Sequence, residues 1–154
     1  MSLDKEVEAL RNVAIFRKID AAKLRLLAFI SERVQFAPGE VLCKQGEIGD
    51  SAFIILSGNA RVVVSSNGSE RTVARLGQED VVGEIAILCD VPRTATVIAE
   101  DELTGLSVDK ETFLKLLQEF PDMALQVMRV LAARLERTTR DLADLKAKVG
   151  EAGT

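Results

Sequence analysis

The chain has 154 residues, 47% of them hydrophobic, which is ample for one domain to bury its own core. Its 20 Lys and Arg and 24 Asp and Glu are interspersed and leave a net charge of −4, against the clustered cations of a nucleic-acid surface; no apolar run nears the ~20 residues of a membrane span. Histidine is absent, and Cys43 and Cys89 form no Cys-x-x-Cys pair, so the usual general base and the usual zinc, non-haem iron and haem ligands are missing.

These absences make a metal site or an enzyme unexpected. No Ser or Cys nucleophile has an evident base, and the carboxylate pairs Glu79-Asp80 and Glu100-Asp101 fall where solvated turns are expected. The two cysteines are expected to be reduced and buried. The start, Met1 to Glu8, is too charged for a secretory signal, and a cytoplasmic protein is expected.

Along the chain, residues 4–10 and 21–31 have the periodicity of short amphipathic helices, the second with Leu24, Leu27, Ala28 and Ile30 on its apolar face. Phe16, between them, is expected to plug the core. From Val34 to Val108 short apolar stretches alternate with glycines spaced near ten residues, the pattern of an antiparallel β roll or barrel. Ala52 to Ser57 reads as a strand buried on both sides and ended by Gly58. Asn67-Gly68 sits between Arg61 to Val64 and Arg71 to Leu76 and predicts a hairpin with an exposed tip.

Residues 83–97, GEIAILCDVPRTATV, carry the chemistry. Gly83 allows close backbone approach, and Glu84 to Leu88 form a short helix whose first N–H groups lack intrahelical partners; a phosphate can supply them. Pro92 stiffens the chain before Arg93, and Thr94 to Val97 read as a strand, so the guanidinium is aimed. The alternative is structural: Arg93 pairs with Glu84 or Glu100, and Gly83 only turns the chain.

Beyond Val108, Asp109 caps a helix containing Phe113, Leu114, Leu116 and Leu117, and Phe120-Pro121-Asp122 ends it and starts another. In this last helix Met128, Leu131, Leu135, Thr138, Leu142, Leu145 and Val149 recur at steps of three and four, a heptad seam with Gly150 as its stop. The narrow seam suits a parallel two-stranded dimer, with Asp141 and Lys146 at flanking positions; packing within the domain is the alternative. Thr138 interrupts the seam and Thr139 follows it, a polar pair that suggests a ligand edge.

Taken together, residues 83–97 resemble the phosphate-binding cassette of cyclic nucleotide-binding domains, and the resemblance runs from about Phe16 to about Leu145. It implies a mainly β fold: an antiparallel, jelly-roll-like β roll with N-terminal helices, a short phosphate-binding helix and a long C-terminal helix. On that scheme residues 1–154 form one domain, with helices in 1–32, the roll in 33–108, the cassette in 82–97 and the terminal helices in 109–150. The resemblance assigns Glu84 to the ribose hydroxyl and Arg93 to the cyclic phosphate, with Gly83, the backbone N–H groups of Ile85 and Ala86, and Thr94 completing the shell.

In the catabolite activator branch of the family, a threonine and a serine on the dimerising helix contact the adenine amine, and Thr138 and Thr139 match them in order. The implied ligand is cyclic AMP; Thr94, a residue type also found in members that favour guanine, keeps cyclic GMP as the alternative. That branch continues into a helix-turn-helix, for which residues 148–154 leave no room. The expected role is a sensor in signal transduction, with a cyclic nucleotide and a second copy of the chain as partners, and with no nucleic acid, membrane, metal or cofactor bound by this chain. A dimerisation module that has lost its ligand is the rival reading, as is the sensor part of a longer regulator or channel.

Overall fold

The computed structural model describes residues 3–13, 16–78 and 80–152. Two helices, α1 (Leu3–Arg11) and α2 (Ala21–Ile30), precede the β region. Acidic Asp4 and Glu6 in the first turn of α1 and Arg11 in its last complement the helix dipole. Asp20 caps α2 by accepting the Lys23 N–H at 3.0 Å. Leu24, Leu27 and Ala28 are buried as expected, and Phe16 is fully enclosed, but Ile30 is 45% exposed and falls off the apolar face.

Eight strands follow: β1 (Glu32–Phe36), β2 (Val41–Cys43), β3 (Ser51–Ser57), β4 (Ala60–Ser66), β5 (Ser69–Leu76), β6 (Val81–Val82), β7 (Thr96–Ala99) and β8 (Leu103–Asp109). They form two four-stranded antiparallel sheets, ordered β1-β8-β3-β6 and β2-β7-β4-β5. The expected hairpin joins β4 to β5 through Asn67 (φ 52°) and Gly68 (φ 81°), two left-handed residues whose twist suits the flanking strands.

Strand β3 shows why residues 52–57 are apolar without alternation. Ala52, Ile54 and Leu56 belong to the core shared with the helices, together with Leu10, Phe16, Leu24, Leu106 and Met123. Ile55, between them, points into the second core, enclosed with Leu42, Ala60, Val82, Val97 and Leu103.

Between β6 and β7 lies the short helix α3 (Glu84–Cys89), and after β8 come α4 (Lys110–Glu119) and α5 (Pro121–Ala152). Asp109 caps α4 by accepting the Thr112 N–H at 2.8 Å, and Pro121 opens α5, where its missing N–H costs nothing. This is the mainly β roll with flanking helices expected from the sequence.

Three local expectations need correction. Helix α5 runs through Gly150 to Ala152: one glycine weakens a helix by only about 1 kcal/mol, and Gly150 does not take up the left-handed φ of a stop signal. Strand β7 begins at Thr96 rather than Thr94, because the backbone of Arg93 is bonded to the turn at Gly46 and Glu47. Cys89 is exposed at the end of α3 and Cys43 is half-buried, so neither thiol is fully enclosed.

Candidate ligand-binding site

Gly83 precedes α3 in the left-handed conformation (φ 88°), and Asp90 ends it in the same region (φ 54°), its N–H bonded to the Ala86 carbonyl. The Asp90 carboxylate accepts a hydrogen bond from Lys110 Nζ at 2.9 Å. That bond, and then the lysine's charge, hold its pKa below the ordinary value. The end of α3 is thereby tied to the first residue of α4.

Arg93 is the one buried charged residue among those described, 7% exposed. Its backbone is clamped first: the Arg93 N–H donates to the Glu47 carbonyl at 2.8 Å, and Gly46 N–H donates to the Arg93 carbonyl at 2.9 Å. Its guanidinium then donates through Nη1 to the Gly83 carbonyl at 3.1 Å and through Nη2 to the Ser51 carbonyl at 2.7 Å. Both acceptors are neutral. Glu100, one of the two carboxylates that a structural ion pair would use, is engaged by Arg75 instead at 3.0 Å.

Two glycines make the room. A Cβ on Gly49 would lie 2.7 Å from Cζ and Nε of Arg93, and a Cβ on Gly83 would overlap its Nη1. The turn Gly46 to Asp50 is thus part of the seat of the arginine.

The guanidinium faces a cavity of about 550 Å³. Val82, Gly83 and Ala86 line it from β6 and α3, Thr94 and Ala95 from the segment before β7, Val62, Ala74 and Leu76 from the β4–β5 hairpin, and Arg134 and Arg137 from α5. A cavity of this size, whose lining joins apolar residues of the strands to a buried cation, suits a small anionic ligand carrying a flat apolar part.

Of the residues expected at the site, Gly83, Ala86, Arg93 and Thr94 are brought together here. Glu84 and Ile85 stand at the start of α3, and their side chains lie outside the described residues, as does Glu79. Thr138 and Thr139 are exposed on α5 and are not among the described lining residues; Thr138 Oγ1 donates to the carbonyl of Arg134 at 2.9 Å.

The family model described as "Cyclic nucleotide-binding domain" matches residues 33–120, more than half of the chain. The chain belongs to the cyclic nucleotide-binding domain family. Within that family, it is 31% identical over 139 residues to a CRP-like cAMP-activated global transcriptional regulator of Mycobacterium tuberculosis, covering 90% of this chain and 62% of the regulator. It is 35% identical over 108 residues to a cAMP-dependent protein kinase regulatory subunit of Mucor circinelloides f. lusitanicus, covering 70% of this chain and 25% of that subunit. Among solved structures, the Thermus thermophilus catabolite activator protein superposes with a TM-score of 0.80 at 26% identity, covering 86% of this chain and 63% of that one. This cyclic nucleotide-binding domain therefore spans less than two thirds of the length of these relatives.

Several parts of the site have no signal in the sequence. The Ser51 acceptor is a backbone carbonyl, which every residue possesses, so nothing in the residue type marks it. Arg75 and Arg137 look like ordinary surface cations until the hairpin and α5 converge on the cavity. Gly49 has no local signal either, because the group that excludes its Cβ is a side chain 44 positions away.

Proposed function

We propose that this chain is a cyclic nucleotide sensor, binding cyclic AMP in a site where Arg93 takes the cyclic phosphate. The observation that carries this reading is the burial of Arg93 against two neutral carbonyls at the end of the cavity. A cyclic phosphodiester has one negative charge, which one guanidinium and a few neutral donors balance. The first N–H groups of α3, around Ile85 and Ala86, add donors, Gly83 lets the phosphate approach, Thr94 adds a hydroxyl, and Glu84 takes the ribose hydroxyl. The names of the regulator and the kinase subunit support cyclic AMP as the ligand.

The adenine contact is assigned to Thr138 and Thr139. Since the Thr138 hydroxyl proton is given to the Arg134 carbonyl, its oxygen remains an acceptor, the complement of an exocyclic amine. The seam on α5 supports a homodimer: Met128, Leu135, Leu142, Leu145 and Val149 are each more than half exposed. Ligand would shift the population of α5 positions by its difference in affinity between them. The chain is read as a cytoplasmic regulatory domain without catalytic activity of its own, metal or further cofactor, and without nucleic-acid or membrane contacts through these residues. No helix among the described residues is long and apolar enough to cross a membrane.

Calorimetric titration of the purified chain with cyclic AMP and cyclic GMP tests the reading, with Arg93→Ala as the control. Micromolar or tighter binding is expected, weakened about a hundredfold in the variant, because a shielded charge-assisted bond contributes about 1.5–3 kcal/mol. A folded sample that binds neither nucleotide would leave a dimerisation module as the better account.

A further inference from the structure

Strand β4 runs on past the point where β7 stops pairing with it. The register sets Val62 opposite Val97 and Val63 opposite Thr96, and continuing it would bring Ser65 opposite Thr94. That pairing is not made. Thr94 and Ala95 leave the sheet and line the cavity beside Arg93. The Thr94 N–H has no hydrogen-bond partner among the described residues.

The vacated place beside Ser65 is taken by a side chain. Gln45 Oε1 accepts the Ser65 N–H at 2.8 Å, and Gln45 Nε2 donates to the Ser65 carbonyl at 3.2 Å. A carboxamide carries an acceptor and a donor on one planar group, as a peptide unit does, so it can stand in for a strand residue. Gln45 is itself held against β7, because its backbone N–H donates to Thr96 Oγ1 at 3.0 Å. The next residue, Gly46, gives its N–H to the Arg93 carbonyl.

An unpaired stretch of strand edge recruits whatever backbone is in reach. At Ser65 the nearest candidate is Thr94, the next partner in register, and pairing it would draw residues 94 and 95 back into the sheet. We infer that Gln45 is a positioning residue for ligand binding: by occupying the edge of β4 at Ser65 it keeps Thr94 and Ala95 out of the sheet, and so holds Arg93 and the Thr94 hydroxyl at the cavity. This rests on the cyclic nucleotide reading above and adds a residue that touches no ligand.

The test uses the full chain with Gln45→Ala, which removes both bonds, and the isosteric Gln45→Glu, which keeps the acceptor and loses the donor. Titration with cyclic AMP is expected to show a loss of about five- to tenfold for Gln45→Ala, as two modest hydrogen bonds cease to favour the competent arrangement, and a smaller loss for Gln45→Glu. Amide hydrogen exchange of the ligand-free chain supplies the second readout. The Thr94 amide should exchange freely in the wild type and gain protection in Gln45→Ala, which a general loosening of the fold would not produce. Unchanged affinity in Gln45→Ala, or weakened affinity with a Thr94 amide that stays unprotected, would overturn the inference and leave the sensor reading standing. If the wild-type chain binds neither cyclic AMP nor cyclic GMP, both fail.

Discussion

Arg93 Nη1 donates to the Gly83 carbonyl across 3.1 Å, and a Cβ on Gly83 would overlap that same nitrogen. The glycine thus serves the arginine twice, by offering its carbonyl and by having no side chain. Gly49 closes the other side of the guanidinium, so the seat is shaped by two missing Cβ atoms and two carbonyls.

Gly49→Ala and Gly83→Ala are expected to separate these effects. Gly49 has no positive φ, so its alanine variant should remain well folded while the added methyl, 2.7 Å from Cζ, pushes the guanidinium aside; cyclic nucleotide affinity should fall about tenfold or more, a loss of one charge-assisted bond. Gly83→Ala combines that collision with an unfavourable left-handed φ and should also lose about 1–2 kcal/mol of stability. Thermal melts beside titrations measure both. A Gly49→Ala variant with unchanged affinity would show that the guanidinium's position is not critical.

Asp109 links stability to acid. Its pKa lies below the ordinary value because it accepts the Thr112 backbone N–H, and also bonds the Thr112 side chain. A carboxylate depressed in the folded state adds stability above its unfolded pKa of about 3.9, and that stability is lost as pH falls through the folded value. Asp109→Ala should cost about 1 kcal/mol at neutral pH, a drop of about 3 °C in Tm. Asp109→Asn should keep most of the cap yet flatten the acid limb, which melts between pH 2 and pH 7 would record.

The seam of α5 can be tested without touching the roll. Leu142 and Leu145 are 51% and 58% exposed, so Leu142→Asp with Leu145→Asp should leave the Tm of the domain within a few degrees at low concentration. Sedimentation should show a dimer for the wild-type chain and a monomer for the variant. An unchanged sedimentation coefficient would mean that the seam does not hold two copies together.

The sequence by itself determined the helices, the β roll, the hairpin at Asn67-Gly68 and the short helix that leads to Arg93. Each depends on local rules: periodicity, caps at Asp109 and Pro121, left-handed turns, and a short helix followed by a stiffened arginine. It also marked the apolar seam of α5, since heptad spacing is visible without a partner. Only the tertiary structure decided what surrounds Arg93. Backbone carbonyls at Ser51 and Gly83 have no residue signature, and the collision that keeps Gly49 a glycine involves a guanidinium far along the chain. The same holds for Arg137, an unremarkable surface cation by its sequence neighbours. Its place over the cavity follows from Met123 and Val127 anchoring the helix in the core, which sets the rotation of every residue that follows.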